Sequence, residues 1–411
     1  MDTRKFDIVV FGATGMTGQY VFEELAKVSK RENVKFALAA RNENKLKSVI
    51  KESQKYLQSL GETIDNVPTI IADINSENSI LNMCKRTKVL LNCVGSFYLL
   101  GEAVIKTCIV TKTHYLDVAE ESMFLEQMQL KYHEEAKRKG IYILGACGFG
   151  SIICDLGISL IKRKFQGDVN SVETYREFTY GRQRRNITFG TLKALSNSFI
   201  YGFKNRNKIK NIREQLNMEI FKKVPTFSYP LRKRPFLSKS ESIGKWCLPF
   251  PGCDETVSLR SQLYNYNYKN QRPVQIKAYY IMSIVNFFSS LLRLLLIVMF
   301  RNLTKYFLNY MEESEFTFVY WAEGWKDKLG VDEQHVNSPN RCMRVTLNGG
   351  DAFRVTSLCL VNAGIACLKE SEKMPESGGV LTPGSAFEDT SLLERLQKSG
   401  LQFVITENDL L

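Results

Sequence analysis

A glycine-rich turn near the start of the chain constrains its fold more than any other feature. Gly12, Gly15 and Gly18 follow an apolar run at 6–11 and precede a helical pattern. A strand, a glycine-rich turn and a helix in this order present backbone N–H groups and a helix N-terminus to a pyrophosphate. Gly12 allows a tight turn, Gly15 allows close approach to a phosphate, and Gly18 allows the helix to pack on the strand.

This arrangement predicts a nucleotide-binding loop, with a strand-to-helix turn that binds nothing as the alternative. The residues expected to contact the nucleotide here are Gly12, Thr14, Gly15, Met16, Thr17 and Gly18.

Residues 1–147 alternate buried-strand patterns with helical patterns. The apolar runs lie at 6–11, 34–40, 69–72, 88–95, 114–118 and 141–147. The helical stretches lie at 43–60, 76–86, 101–110 and 122–139. Strands that alternate with helices of this length predict an α/β fold with a doubly wound parallel sheet of the Rossmann type.

The pattern changes after residue 147 and indicates a second, α+β domain over 148–387. Its expected helices lie at 151–165 and 352–368, and its strand-like pieces at 169–180, 255–266, 314–326 and 341–347. We expect it to hold the substrate and a subunit contact in a homodimer. The last stretch, 388–411, is interpreted as a helix and a strand that could return to the first domain.

Residues that follow the next strands predict how the nucleotide lies. Arg41 stands where NAD-selective domains usually have an acidic residue, and a guanidinium suits a 2′-phosphate. We therefore expect NADP, with NAD as the alternative cofactor, while Arg41 could instead stack on the adenine or cap its strand. Asp73 could accept a hydrogen bond from the adenine amine. Val94 and Gly95 would let the nicotinamide lie against the end of the fourth strand.

An apolar segment at 278–300 is long enough to cross a bilayer, but Arg293 interrupts it. A charge near mid-span costs roughly 2.5–3.5 kcal/mol on insertion scales. We therefore favour a helix or hairpin that inserts from one side of the membrane, where Arg293 can reach the interface. A buried core helix is the alternative, and a full span is the least favoured.

A basic segment at 181–240 carries the whole net charge of the chain. It contains fifteen Lys or Arg and two acidic residues, and its excess equals the +13 of the full sequence. Such a segment favours an anionic membrane or lipid-droplet surface as partner, because each cation near an anionic leaflet contributes about 1 kcal/mol. Its aromatic residues, Phe221 among them, could lie at the level of the headgroups. No nucleic-acid motif accompanies it, so nucleic acid is not an expected partner.

Metal and disulfide chemistry are not indicated. The three histidines lack metal-ligand spacing with Cys, Asp or Glu, so no metal site is expected. The ten cysteines are scattered without a C-x-x-C pair, which is typical of buried thiols in a reducing compartment. The first apolar run begins at Phe6, which leaves no room for a signal or transit peptide.

The candidate catalytic residues follow the fifth predicted strand. Ligands of open α/β sheets bind outside the carboxyl ends of the strands. Tyr115, Asp117 and Glu120 lie at such an end and could orient or protonate a substrate. A hydrogen-bonded structural corner is the alternative for each of them.

The chain resembles the saccharopine dehydrogenase-like oxidoreductase family over nearly its full length. The matching stretches are 12–18, 39–42, 92–95 with 101–102, 113–121, 148–151 with 155–157, 189–191 and 378–387. The resemblance implies an NAD(P)-binding Rossmann domain, a second α/β domain and, for animal members, association with lipid droplets and other membranes. Bacterial relatives include trans-acting enoyl reductases of glycolipid synthesis. Many relatives have an Asp where this chain has Gly150, which puts the chemical role of that position in doubt.

Together these observations predict an NADP-dependent oxidoreductase at a membrane or lipid-droplet surface, which transfers hydride to a C=C or C=O bond of a lipid. A catalytically silent nucleotide-binding scaffold at lipid droplets is the first alternative, favoured by the change at Gly150. A saccharopine-type amino-acid reductase is the second, and the apolar segment disfavours it. The expected location is a lipid droplet or the cytosolic face of an intracellular membrane, with the mitochondrion as the alternative.

Overall fold

The computed structural model describes residues 4–185, 205–284 and 311–409, and two seven-stranded sheets dominate them. The strands are β1 (Phe6–Phe11), β2 (Phe36–Ala40), β3 (Thr69–Ile71), β4 (Thr87–Asn92), β5 (His114–Asp117), β6 (Tyr142–Leu144), β7 (Asp168–Arg185), β8 (Ser238–Lys239), β9 (Trp246–Pro249), β10 (Gln275–Ile281), β11 (Met311–Trp325), β12 (Arg341–Gly349), β13 (Gly379–Leu381) and β14 (Phe403–Asp409).

Eleven α-helices lie among the described residues. They are α1 (Met16–Glu32), α2 (Glu43–Ser59), α3 (Glu77–Cys84), α4 (Phe97–Thr111), α5 (Ser122–Lys139), α6 (Ser151–Lys164), α7 (Arg206–Leu216), α8 (Asp254–Tyr268), α9 (Ala352–Lys369), α10 (Pro383–Phe387) and α11 (Leu392–Lys398).

The first sheet is the predicted doubly wound sheet. Its strands lie in the order β13-β6-β5-β4-β1-β2-β3, and all neighbouring pairs are parallel. The first six strands have the 3-2-1-4-5-6 order of dinucleotide-binding domains. Ile8 and Val10 of β1 pack into the same cluster as Val21 of α1, whereas Val9 and Phe11 pack toward α4 on the opposite face. This alternation buries both faces of the strand, so the fold class expected for residues 1–147 is confirmed.

The second sheet is mixed and lies in the order β14-β12-β11-β7-β10-β9-β8. β7 and β10 are parallel, and the other neighbours are antiparallel. Helix α6 is buried from Ser151 to Ile161 and packs against β7, β11 and β12. The expected strands at 169–180, 314–326 and 341–347 and the two expected helices are confirmed.

The expected strand at 255–266 is wrong, because these residues belong to helix α8. Asp254 and Glu255 occupy its first turn, where negative charge is favourable. Its buried side includes Ser258, Ser261 and Gln262, which are polar, so no apolar helical stripe is visible in the sequence.

The chain passes between the two sheets more often than the expected boundaries allow. Strand β13, placed by the sequence in the domain at 148–387, pairs with β6 in the first sheet. Strand β14, expected to return to the first domain, pairs instead with β12 in the second sheet. Helix α9 packs against α1 and β4 of the first domain. Pairing between strands so far apart in the chain leaves no local sequence signal.

The apolar segment at 278–300 begins in a sheet and not in a membrane helix. Ala278–Ile281 form the end of β10, and the expectation of a helix or hairpin is wrong for these residues. Residues 285–300 lie outside the described part of the chain. Among the described residues, α9 alone is long and apolar enough to cross a membrane, and 61% of its apolar window is buried in the protein. Such burial is typical of a core helix.

The basic segment at 181–240 is described only in part, since 186–204 lie outside the described residues. Three of its described cations form ion pairs: Arg213 with Glu126 at 3.0 Å, Arg234 with Glu173 at 2.6 Å, and Lys210 with Glu214 at 3.8 Å on the surface of α7. Phe221 is buried beneath α7, so its expected place among lipid headgroups is wrong. Exposed cations remain on this segment, namely Lys208, Lys210, Lys222, Lys223, Arg232, Lys233 and Lys239.

Candidate active site

The glycine loop joins β1 to α1 through a turn that only glycine fits well. Gly12 has a φ of +88°, and a Cβ there would lie 2.8 Å from Val94 Cγ2. Its N–H donates to the carbonyl of Ala39 at 2.9 Å, and the N–H of Gly15 closes the turn on the carbonyl of Gly12 at 2.9 Å. The left-handed backbone and the close neighbour both explain glycine at position 12.

The first N–H groups of α1 have no partner within the helix. Gly15 is the N-cap residue, the helix begins at Met16, and its first turn contains no acidic residue. A Cβ at Gly18 would lie 2.2 Å from the carbonyl oxygen of Gly12, so the helix can approach the turn only if residue 18 is glycine. The first N–H groups and the positive end of the helix dipole form a site suited to a pyrophosphate. Thr14 and Thr17 lie beside it, half-buried.

Arg41 lies next to the glycine loop because β2 pairs with β1. It follows the last residue of β2 and is exposed. Asn42 caps α2 by accepting a hydrogen bond from the N–H of Lys45 at 2.9 Å, which fixes the backbone that carries Arg41. An exposed guanidinium at this point is accessible to a 2′-phosphate.

Asp73 follows β3, one strand farther along the edge. One of its carboxylate oxygens accepts from the N–H of Asn75 at 3.0 Å and from its side-chain amide at 3.2 Å. The carboxylate therefore holds a local turn, and its contact with an adenine amine stays a prediction.

Val94 and Gly95 follow β4 on the other side of the glycine loop. The N–H of Val94 donates to Asn92 Oδ1 at 3.0 Å, and the side chain of Val94 lies against Gly12. A Cβ at Gly95 would meet no atom within 4 Å, so Gly95 faces open space. Such space is what a nicotinamide ring at this strand end requires.

The predicted cofactor residues therefore lie along one edge of the first sheet. Asp73, Arg41, Gly12 and Val94 follow the carboxyl ends of four neighbouring strands, which are spaced about 4.8 Å apart. An extended dinucleotide would have its adenine near Asp73, its pyrophosphate at Gly12 and its nicotinamide near Val94. The glycine contacts, the helix N-terminus and the arginine fit NADP.

The structure brings Tyr115 and Asp117 together, but inside the protein. Both side chains are 0% exposed. The Tyr115 hydroxyl donates to Asp117 Oδ2 at 2.8 Å and accepts from the Asn92 amide at 3.0 Å. The N–H groups of Ala119 and Ala146 donate to Asp117 Oδ1 at 2.9 and 3.1 Å. These contacts form a structural corner, and the expectation that either side chain contacts a substrate does not agree with this burial.

Burial sets the ionisation of this corner. It raises the pKa of Asp117 to about 7, against the opposing effect of the hydrogen bonds from Ala119, Tyr115 and Ala146. Burial and the neighbouring Asp117 raise the pKa of the Tyr115 phenol well above its usual value. The pair is suited to hold the loop that follows β5, because its hydrogen-bonding groups are already satisfied.

Glu120 lies on that loop and, unlike the buried pair, is reached by solvent. Surrounding protein atoms remove water from its carboxyl group, and this desolvation raises the pKa of Glu120 to about 7. The charges of Asp254 and Glu121 also raise this pKa, whereas Arg176 lowers it. A carboxyl group that is both accessible and protonated near neutral pH can donate a proton to a substrate.

Two of the charges that act on Glu120, those of Arg176 and Asp254, come from the second domain. Arg176 on β7 and Asp254 at the start of α8 form an ion pair, and both side chains are almost fully buried. The guanidinium carbon lies 4.0 Å from the ring centre of Phe250, 4.8 Å from that of Phe318 and 5.0 Å from that of Phe149. The Nε of Arg176 has no hydrogen-bond partner. Three aromatic rings thus surround the guanidinium and exclude most of the water from it.

The same ion pair explains the glycine at position 150. Gly150 has a φ of +103°, and a Cβ there would lie 2.5 Å from Arg176 Nη2. An acidic side chain at this position, as the family resemblance leads one to expect, would have to displace the arginine. In this chain Asp254 supplies a carboxylate close to that place, held by the Ser151 hydroxyl at 2.9 Å.

Arg176 and Asp254 were not found from the sequence. A charged residue in the middle of a long strand pattern, at 176, was a usable signal. Asp254-Glu255 was a second one, because two acidic residues in succession are typical of a helix N-terminus. Among the described residues, no group of three or more His, Cys, Asp or Glu could hold a metal ion.

Comparison with known proteins identifies the family. Residues 8–144 match the model of the saccharopine dehydrogenase NADP binding domain. A human saccharopine dehydrogenase-like oxidoreductase is 34% identical, with 98% of each chain covered. The chain belongs to the saccharopine dehydrogenase-like oxidoreductase family. Its first domain is the NADP-binding domain of this family, so the expected cofactor and the expected family are both confirmed.

Two further comparisons bear on location and fold. A Caenorhabditis elegans lipid droplet localized protein is 31% identical over 99% of this chain and 100% of its own. The crystal structure of the apo saccharopine dehydrogenase (L-Glu forming) from Saccharomyces cerevisiae covers 98% of this chain and 100% of its own, with a TM-score of 0.57 and 13% identity. At that identity the likeness concerns the fold alone.

Proposed function

We propose that this family member uses NADPH to reduce a C=O or C=C bond of a neutral lipid at the surface of a lipid droplet or membrane. The observation that carries the proposal is the meeting of two surfaces at Glu120. One is the carboxyl edge of the first sheet, and the other is the aromatic surroundings of Arg176 on the second sheet. The nematode relative, by its name, is located at lipid droplets.

The cofactor would be held by the first domain. The N-terminus of α1 and the loop from Gly12 to Gly18 bind the pyrophosphate, and Arg41 contacts the 2′-phosphate. Val94 and Gly95 provide the surface beside the nicotinamide. When bound, NADPH supplies the hydride.

Glu120 supplies the proton that the reduced bond also requires. Its carboxyl group is accessible and has a pKa of about 7, so a large fraction holds a proton at neutral pH. Tyr115 and Asp117 act as positioning residues, because their hydrogen bonds fix the start of the loop that carries Glu120. Arg176 lowers the pKa of Glu120 and keeps it near the working pH.

The charges at this site favour a neutral substrate over an amino acid with several carboxylates. Glu120 and Glu121 lie on the same loop, and Asp254 lies near Glu120. The buried Arg176 is already paired with Asp254. A polycarboxylate would thus meet repulsion there, whereas an ester, a ketone or an enone would not.

The exposed cations of the basic segment support docking on an anionic surface. Lys222, Lys223, Arg232 and Lys233 lie in sequence between α7 and β8 and are exposed. Each cation close to an anionic leaflet contributes about 1 kcal/mol. Attraction of this kind would bring the enzyme to the membrane or droplet that stores its substrate.

The test is NADPH oxidation by the purified full-length protein with lipid ketones and enones in mixed micelles, compared with Glu120→Gln and with the exposed-helix control Glu43→Gln. If Glu120 is the proton donor, kcat of the wild type is constant below its pKa and falls as pH rises above about 7. Glu120→Gln should lower kcat about 100-fold and abolish that pH dependence. Tight NADPH binding without turnover on any lipid would support the scaffold alternative.

A further inference from the structure

The inner face of the second sheet carries a continuous apolar strip that leads away from Arg176. We use the name inner strip for Phe178, Trp246, Leu248, Phe250 and Tyr280. The register places these side chains on one face: Tyr280 is opposite Arg176 on one side and Leu248 on the other. Trp246 and Phe250 lie two residues before and after Leu248, so they point to the same side of β9 and its extension.

Contacts confirm that these side chains share a face with the site. The ring centres of Phe178 and Tyr280 lie 6.1 Å apart, and that of Phe250 lies 4.0 Å from the Arg176 guanidinium. The neighbouring residues Tyr175 and Tyr279 point the other way and stack on each other at 5.3 Å. The strip is therefore separate from the cluster on the outer face of the sheet.

The inner strip is only partly covered by the described residues of the protein. Phe318, opposite Arg176 on β11, is buried, whereas Tyr280, Leu248 and Phe250 are half-buried. Trp246, at the far end, is 37% exposed. Partly exposed aromatic and aliphatic groups in one row are typical of a surface that binds an apolar ligand.

The two ends of the strip suggest what that ligand is. One end lies at Phe250 and Arg176, whose Nε is buried without a partner, close to Glu120. At the other end the N–H of Met282 donates to the carbonyl of Trp246 at 3.1 Å, and Ile284 is 36% exposed. Phe250 and Trp246, the two ends of the strip, are four residues apart on β9 and its extension, which corresponds to about 13 Å of extended strand. The strip is thus long enough for a large part of an extended long acyl chain.

We propose that the inner strip holds the acyl chain of the lipid substrate, with the reducible group at Glu120, next to the Arg176–Asp254 pair, and the chain running from there toward Trp246. This inference rests on the proposed function, since it names the substrate class for the same site. The substrate is then a neutral long-chain acyl lipid, because the acidic groups around Arg176 disfavour a free carboxylate at the polar end.

The three tryptophans of the chain allow a direct test. Trp246 is on the strip, Trp321 pairs in register with Glu173 on the outer face, and Trp325 stacks on His335 at 3.9 Å. A stearic acid methyl ester brominated along its chain should quench the fluorescence of the full-length protein in detergent. Trp246→Phe should lose most of this quenching, and the matched control Trp321→Phe should keep it. Equal quenching in wild type and Trp246→Phe would overturn the proposal.

A second variant tests the affinity for the lipid rather than the fluorescence quenching. Leu248→Asp should weaken binding of the brominated ester about tenfold or more, since it places a carboxylate on the strip. Normal NADPH binding by Leu248→Asp would show that the variant is folded. The brominated free acid should bind more weakly than the ester, and tighter binding of the acid would contradict the neutral polar end.

The outcomes separate this inference from the proposed function. Quenching at Trp246 without turnover would support the strip as a lipid site and contradict the reductase. Turnover of lipid ketones or enones without quenching at Trp246 would support the reductase and contradict the strip.

Discussion

The carboxyl edge of the first sheet and the inner face of the second sheet meet at one site but are built differently. The edge is made of short local units: Gly12 to Gly18 form one turn, and Asn92 bonds the N–H of Val94 two residues later. The inner face is made by strands from distant parts of the chain, with Arg176 between Phe318 and Tyr280. The cofactor half of the site is therefore encoded locally, and the substrate half depends on long-range pairing.

The two regions also differ in what stabilises them. The edge leaves exposed N–H groups and Arg41 for a ligand to satisfy, so its polar groups cost little in the free protein. The inner face holds a buried ion pair, whose partners depend on each other because neither can reach water. Substitutions in the second region should thus affect folding, and substitutions at the edge should affect mainly nucleotide binding.

The largest expected effect is that of Asp254→Ala. This substitution leaves Arg176 buried without its carboxylate and should lower the free energy of unfolding by about 3–5 kcal/mol. Denaturant unfolding followed by circular dichroism measures it, with Glu43→Gln in an exposed helical pair as a control that leaves stability unchanged. The double variant Arg176→Met, Asp254→Ala should recover much of the loss. A stable Asp254→Ala protein would mean that the ion pair is not a structural requirement of the inner face.

Gly18→Ala tests the packing of the edge. The added Cβ would lie 2.2 Å from a backbone oxygen that cannot rotate away, so α1 must shift. We expect the free energy of unfolding to fall by up to about 3 kcal/mol. We also expect a large loss of NADPH affinity, measured by calorimetry. Gly350→Ala is the matched control, since a Cβ there meets nothing within 4 Å. Unchanged NADPH binding by Gly18→Ala would contradict the role of this helix N-terminus.

Arg41→Ala sharpens the assignment of the edge to NADP. Loss of the guanidinium should weaken NADPH binding about 10- to 100-fold and leave NADH binding nearly unchanged, because only NADPH carries the 2′-phosphate. Titrations with both nucleotides measure this difference. Lys47→Ala, also exposed and close in sequence on α2, should change neither affinity. Parallel losses for the two nucleotides would mean that Arg41 contacts the adenine or its strand instead.

The comparison also shows which parts of the fold can be predicted from the sequence. The six strands of the first domain and the glycine loop follow from periodicity and turn chemistry, since each signal lies within about twenty residues. The placement of β13 and β14 could not follow, because it depends on pairs more than fifty residues apart. Helix α8 was missed because its buried side uses Ser258 and Ser261 for hydrogen bonds, so the apolar periodicity is weak. Asp254, the partner of Arg176, was missed because it is the first residue of this helix.

Tyr115→Phe carries the smallest expected effect and separates a positioning role from a catalytic one. Removal of the hydroxyl takes a donor from Asp117 and an acceptor from Asn92, both buried, and should cost about 1–2 kcal/mol of stability. If the pair only supports the loop, kcat should change by less than about threefold at a temperature where the variant is folded. A loss of about 100-fold, the size typical of a general acid, would return Tyr115 to the catalytic machinery.

The pH dependence of the Tyr115→Phe effect provides a second readout. Burial raises the pKa of Asp117 to about 7, above its value in the unfolded chain. The folded protein therefore keeps a proton that the unfolded chain loses above about pH 4, and the stability due to this group falls as pH rises from about 4 to 7. Above pH 7 the ionised carboxylate needs every donor it has, so Tyr115→Phe should be more destabilising at pH 8 than at pH 5. An equal cost at both pH values would mean that Asp117 does not change its charge in the folded protein over this range.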